Sequence, residues 1–374
     1  MENKKKLFYY LVFVMFVIMI CGCRQGSNPI FDVPSEVIDF YSFEIHENEY
    51  IPNELIQEKT YIKLDASTDD ALFKCINKIL IVGNKIYILD GSRSVQKLLV
   101  FNIDGSFEGL VGRRGQGPGE YLQVTDFDVS TNGSIHIVDG QSDRLFIFDS
   151  VFHFVSVKKI PFEVGIIQLL SDNQYLLGLS SWNMGETWKV AITTTDFEPL
   201  DKCLPYDEYY DNNMWISGYN FMQTENHILY NKQINNNVYA FSHDGKLEKI
   251  YQFDFGKKNV PNEYKKDIEK NWEGFRFRCC LKCFVIVNEH YCIGTLLDEL
   301  QTKTFIIDRN SDNLYISKEI AERDYSYLTG YHNNQIITYI YPGKYENIQS
   351  EDLPEDVKKY VEDENFVLCL YKLK

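Results

Sequence analysis

Positive charge is scarce in this sequence once its first six residues are passed. Over 374 residues, 38 Lys and Arg face 54 Asp and Glu, giving a net charge of −16, and no basic run follows Lys4, Lys5 and Lys6. Polyphosphate binding needs a cationic footprint, so nucleic acid is excluded as a partner. Long apolar runs are missing too. The longest extends from Leu7 to Ile20, short of the ~20 residues that cross a bilayer as a helix. No Ser-His-Asp or Cys-His set stands in a matching context, because His46, His136, His153, His227, His243, His290 and His332 are scattered over separate segments. No nucleophilic triad is therefore expected. A composition of 44% hydrophobic and 25% charged residues rules out a disordered or fibrous chain.

What the N-terminus does contain is three lysines, an apolar run and then Ile20-Cys21-Gly22-Cys23. This pattern predicts a signal peptide over residues 1–22 that ends in a lipobox, with small residues ahead of a cysteine thiol that takes the diacylglycerol. Cys23 is then the lipidation site, and a membrane is a partner through the lipid anchor. The alternative is an uncleaved signal anchor or a short transmembrane helix. Cleavage removes three lysines and Glu2, leaving 35 positive against 53 negative side chains and a mature charge of −18. Arg24-Gln25-Gly26-Ser27 lacks an inner-membrane retention signal and an acidic surface-export tag. The expected location is thus the periplasmic face of the outer membrane, with the cell surface as the alternative. Residues 23–54, polar and punctuated by Pro29, Pro34 and Pro52, read as the lipidated terminus and a tether.

From residue 55 to 374 a unit recurs. Its second strands align as Gly83–Asp90, Asn132–Asp139, Asp172–Leu177, Glu225–Tyr230, Asn288–Ile293 and Asn333–Thr338. Third strands answer in step at 98–107, 145–154, 190–199, 238–247, 304–313 and 366–374. The spacing, roughly 40 to 63 residues, suits four-stranded propeller blades with loop insertions. The fold class expected is all-β: a six-bladed β-propeller of four-stranded antiparallel blades. The orphan strand Glu58–Asp65 is expected to join the C-terminal blade beside Phe366 to Leu373, closing the ring and removing two exposed edges. Pro261–Trp272 and Ser350–Asp363 read as helical surface insertions.

Between the first two units lies Gly112-Arg113-Arg114-Gly115-Gln116-Gly117-Pro118-Gly119-Glu120-Tyr121. This string, together with the lipobox and the six repeats, resembles the six-bladed β-propeller lipoproteins of Bacteroides-type bacteria, relatives of NHL-repeat and TolB-like propellers. The resemblance implies a fold and a location, since most members of that family have no established activity. Four glycines and two arginines also suggest a phosphate cradle. The string nevertheless lacks the Gly-Lys-Ser/Thr that opens a helix in a P-loop, and it leads into a strand. Glycines supplying positive φ for a crossover, with Glu120 and Tyr121 pinning it, is the competing explanation.

Other clusters have two readings as well. Cys280-x-x-Cys283, with Cys279, His290 and Cys292, suggests zinc, but an odd separation on one strand sends the two thiols to opposite faces. Buried thiols packing a blade are the alternative. Removing Cys21 and lipidating Cys23 leaves seven cysteines, so at least one is free or pairs between chains. Asp90-Gly91 and Asp139-Gly140 end equivalent strands, where a carboxylate caps the following turn or binds calcium. Asp126, Gln168 and Asn220 fall on expected inner strands, too few for a ~6- to 8-oxygen calcium site. No metal or cofactor is expected. Trp182, Trp188 and the stretch from Tyr206 through Trp215 to Tyr219 stack on sugars or peptides, or else pack between blades. The function expected is a membrane-anchored, non-catalytic binding or scaffolding lipoprotein for a protein, peptide or glycan. The alternative is a propeller hydrolase or lyase with a channel metal. Loops converge on one end of a propeller channel, and there Arg113, Arg114 and Gln116, with Trp182 and Trp215, are the expected recognition surface.

Overall fold

Runs of four to eight residues in which apolar side chains alternate, broken by Asn, Asp and Gly, fold as antiparallel hairpins. The computed structural model describes residues 32–47, 51–170, 173–180, 186–205, 221–232, 234–299, 301–317, 328–341 and 353–374. Within it Pro34–Lys374 forms one compact unit. Three strands precede the repeats: β1 (Ser35–Asp39), β2 (Glu44–Glu47) and β3 (Ile56–Lys63). Blade one is β4 (Lys78–Val82), β5 (Lys85–Asp90), β6 (Lys97–Asn102) and β7 (Phe107–Leu110). A crossover holding β8 (Arg113–Arg114) and β9 (Glu120–Tyr121) leads to blade two. That blade is β10 (Asp126–Val129), β11 (Ile135–Asp139), β12 (Arg144–Phe148) and β13 (Phe154–Lys159). Blade three comprises β14 (Val164–Leu169), β15 (Gln174–Leu179), β16 (Trp188–Thr194) and β17 (Pro199–Pro205).

Blade four is β18 (Phe221–Gln223), β19 (Ile228–Asn231), β20 (Asn237–Phe241) and β21 (Leu247–Asp254). Helices α1 (Asn262–Lys265) and α2 (Trp272–Arg278) follow, so the helical insertion extends past its expected end at Trp272. Blade five is β22 (Cys280–Val287), β23 (Tyr291–Asp298), β24 (Gln301–Asp308) and β25 (Asn313–Ile316). Blade six contains β26 (Gly330–His332), β27 (Gln335–Ile340) and β28 (Val367–Leu373), with α3 (Glu355–Glu362) ahead of its last strand. The outer strand of blade six is β3, antiparallel to β28 with Tyr61 opposite Cys369. The protein is thus a β-propeller of six blades.

Apolar residues on both faces of each blade fill the spaces between neighbours. Leu99 and Phe101 of blade one meet Ile337 and Leu368 of blade six, and on their other side Tyr87 and Val100 meet Phe127 and Ile137 of blade two. Leu229 and Ala240 share a cluster with Val285, Ile306, Ile336 and Val367, tying blades four, five and six together.

One expected boundary moves. The tether placed over residues 23–54 includes two strands of the folded body, because β1 pairs parallel with β21 and β2 pairs parallel with β25. Both are four or five residues of mixed charge and apolarity, too short to show a period of two over a polar background. Blades four and five therefore carry fifth strands.

The Leu64 N–H donates to Phe366 O, so in the antiparallel register the Thr60 N–H turns toward β28 and the Lys59 N–H turns away. Thr60→Pro is expected to cost about 1–3 kcal/mol by removing a ladder bond. Lys59→Pro should cost less than half as much, as measured by urea unfolding.

Candidate functional site

The innermost strand of a blade has no partner on its channel side, so every second N–H and C=O there is unpaired unless something reaches it. In blade three the Leu170 N–H donates to Gln174 O, and alternation turns the Ile167 and Leu169 N–H groups away from β15. Side chains of blade two meet them. Asp126 Oδ2 accepts the Ile167 N–H at 2.7 Å, and Asp128 Oδ2 accepts the Leu169 N–H at 2.6 Å and Gln168 Nε2 at 2.8 Å. Lys78 of blade one does the same for blade two, its Nζ donating to Phe127 O at 2.7 Å and to Asp126 Oδ1 at 2.8 Å. Between blades four and five, Asn231 accepts the Val285 N–H at 3.0 Å and donates to Val285 O at 2.8 Å.

All of these side chains are buried. Burial pushes the Asp126 carboxyl above its ordinary range, opposed by the Lys78 ammonium and the Ile167 N–H. It pushes Asp128 up to about 6, with Lys78 and the Leu169 N–H opposing. Asp126 and Gln168 thus lie on inner strands as expected, Asp126 bonded to the Ile167 N–H and Gln168 to Asp128, a residue sequence reasoning passed over together with Lys78 and Asn231. The signal available was the spacing of Asp126 and Asp128, two acids two apart inside a strand, which places both on one face. Asn220 lies outside the described residues.

Asp90 and Asp139 are turn caps. Asp90 accepts the N–H groups of Ser92 (2.9 Å) and Lys74 (2.6 Å), and Asp139 those of Gln141 (3.0 Å) and Leu122 (2.8 Å). Each carboxylate binds its own turn and the connection that enters its blade. The glycine-rich crossover is equally self-supporting. Glu120 Oε2 accepts the Gly117 N–H at 2.8 Å, and the buried Tyr121 donates to Val111 O at 3.2 Å. Gly112 and Gly119 have φ of +63° and +76°. At Gly119 a Cβ would lie 2.8 Å from Phe154 Cβ.

From this braced loop Arg113, Arg114 and Gln116 face solvent. Arg113 Nη2 pairs with Asp70 Oδ2 at 2.9 Å, on the connection from blade six to blade one, and Arg114 Nη1 donates to Arg93 O at 3.2 Å. Cys23, Trp182 and Trp215 lie outside the described residues. Trp188 is 1% exposed and packs edge-on against Phe162 at 5.2 Å, so it is a core residue.

The cysteine cluster does not converge. Cys280 packs among the residues of blades four to six and Cys283 against Phe275 and Ile268. The register skips between Lys282 and Val285 and sets Cys292 opposite Val287, away from Cys283. Burial pushes the Cys283 thiol up to about 11 and that of Cys292 to about 12, which keeps both protonated and inert. Among the described residues all seven cysteines are free, and no group of three or more His, Cys, Asp or Glu is placed to hold a metal ion.

These features define a six-bladed propeller whose inner strands are stitched side chain to backbone and whose crossover end presents a braced arginine loop. The chain belongs to the family described as a domain of unknown function, DUF4934, whose model matches residues 35–372. It is similar to the crystal structure of a Bacteroides fragilis protein provisionally described as exported, at 16% identity and a TM-score of 0.73, covering 91% of this chain and 100% of that one. A Bacteroides vulgatus member of the DUF4221 family is similar at 12% identity and a TM-score of 0.55, over 86% and 98% of the two chains. At such identities the likeness is one of fold. No curated protein matches the sequence.

Lys282, 1% exposed, donates from Nζ to Lys232 O at 2.9 Å, and burial lowers its pKa to about 7. An unfolded-chain lysine keeps a pKa near ~10.4, so between these values the unfolded state holds a proton that the folded state has shed. This contribution to stability therefore grows as pH rises. From pH 7 to 8.5 the native protein should gain urea resistance relative to Lys282→Met, by up to ~1.4 kcal/mol per pH unit.

Proposed function

We propose that the protein is a lipid-anchored, non-catalytic binding or scaffolding propeller of the bacterial envelope, recognising a protein, peptide or glycan at the crossover end of its channel. The observation that carries this reading is the exposure of Arg113, Arg114 and Gln116 on a loop fixed from within by Glu120 and Tyr121. A pre-formed loop lowers the ordering cost of binding. Paired arginines are a local exception on a body of mature charge −18, and planar guanidinium groups suit carboxylates and amide-rich surfaces. Trp182 and Trp215 stay candidates by sequence.

Anchoring rests on the lipobox that ends at Cys23. It agrees with the Bacteroides fragilis neighbour being described as exported. Among the described residues no helix is long and apolar enough to cross a membrane. The periplasmic face of the outer membrane is the proposed location.

Three outcomes follow. Cys23→Ala should leave the precursor uncleaved and unlabelled by radioactive fatty acid. Replacing Arg113 and Arg114 by Ala should move the melting temperature by less than about 2 °C, because an exposed pair contributes only ~0–1 kcal/mol. The same double variant should lose the partner that the tethered protein captures from native membranes. A large loss of stability with capture intact would mark the loop as a structural crossover alone.

A further inference from the structure

Outer edges of sheets expose unpaired backbone, and proteins blunt them with short strands, charges, proline or a covering segment. The blades here do so to different degrees. Blades four and five are covered by the acidic strands β1 and β2, and blade six ends on β3, where Gln57, Glu58, Lys59 and Lys63 are exposed. Blade three ends on β17, bounded by Pro199 and Pro205 and repeatedly shifted in register. Blade one ends on β7, four residues long, with Phe152 against Gly109. Blade two ends on β13, which carries Lys158, Lys159 and a register shift but leaves Val155 and Val157 59% and 43% exposed, with Val151 just before it 60% exposed.

The register makes β13 equivalent to β21. Both outer strands are shifted at the same place, opposite Ile147/Phe148 in blade two and Ala240/Phe241 in blade four. Beyond the shift, Val157 opposite Phe146 corresponds to Ile250 opposite Tyr239, and Lys159 opposite Arg144 corresponds to Gln252 opposite Asn237. Ile250 to Gln252 are residues to which β1 adds, Ser35 beside Ile250 and Val37 beside Gln252. The Ile250 N–H donates to Pro34 O at 3.0 Å. The Val157 N–H points the same way: Ile160 N–H donates inward to Asp143 O, so alternation turns Val157 and Lys159 outward.

We propose that the β13 edge is a docking site for an extended segment of another polypeptide, added as a parallel fifth strand of alternating apolar and acidic residues like Ser35-Glu36-Val37-Ile38-Asp39. Strand addition takes its affinity from main-chain hydrogen bonds and its selectivity from alternate side chains. The acidic character follows from β1 itself and from the basic end of the edge, Lys158 and Lys159, whose partners within the chain are Asp196 at 2.9 Å and Asp143 at 3.2 Å. In blade four the equivalent strand is tied by Glu36 to Lys249 and Arg309, both at 2.7 Å.

The test uses the full chain and a synthetic capped peptide of residues 34–40 as probe, read by amide hydrogen exchange. At 5 mM peptide, exchange at Val157 and Lys159 should slow at least threefold, while residues 250–254, whose edge β1 already occupies, stay unchanged. Val157→Pro removes the docking N–H and should abolish the effect with near-ultraviolet dichroism unchanged. Should that variant not fold, Val157→Asp serves, setting a like charge against the acidic strand, with the slowing reduced at least twofold. No slowing at 5 mM would overturn the proposal. So would protection that appears without peptide as protein concentration rises, since it would assign the edge to a second copy of this chain.

Discussion

The structure depends on how the unpaired backbone at the two edges of each blade is satisfied. A four-stranded antiparallel blade leaves one row of N–H and C=O groups facing the channel and another facing outward. On the channel side of blades two, three and five, side chains of the neighbouring blade meet these groups. Asp126 and Asp128 cap the inner strand of blade three, Lys78 that of blade two and Asn231 that of blade five. At the rim, the segment before the first repeat lays strands on blades four, five and six in turn.

This arrangement explains why charged residues sit in the interior of an otherwise apolar set of blade interfaces. A buried carboxylate without partners is strongly unfavourable, yet Asp126 and Asp128 each accept a backbone N–H that would itself be orphaned. The polar groups thus satisfy one another across blades, and each bond fixes the relative height of two adjacent sheets as packing between apolar faces cannot. The groups that might have suggested chemistry are consumed by architecture. The exposed and braced polar groups lie instead at the crossover loop, where the Arg113 side chain is 68% exposed.

Much of the fold was legible in the sequence because hairpins announce themselves locally. Asn132-Gly133 and Asn333-Asn334 mark turns, and Gly133, Asn333 and Asn334 all adopt positive φ. The six second and third strands fall where their alternation and turn residues placed them. The strands β1 and β2 were not legible, since a parallel edge strand is defined by a partner more than two hundred residues away and has no hairpin of its own. The turn-capping role of Asp90 and Asp139 was readable from their repetition. Asp128 was readable from its spacing to Asp126, whereas Lys78 and Asn231 were not, because a side chain reaching the next blade's backbone follows no spacing rule within its own strand. The register skip at Cys283 likewise has no local mark.

The most direct measurement of this account is the unfolding free energy of Asn231→Leu, a neutral and nearly isosteric change that removes both bonds to Val285. With a buried N–H and C=O left unpaired, urea unfolding should show a loss of at least about 2 kcal/mol, with exchange at the Val285 amide accelerated in the folded protein. A loss below about 0.5 kcal/mol with Val285 still protected would contradict it, showing that apolar packing alone holds the blades in register.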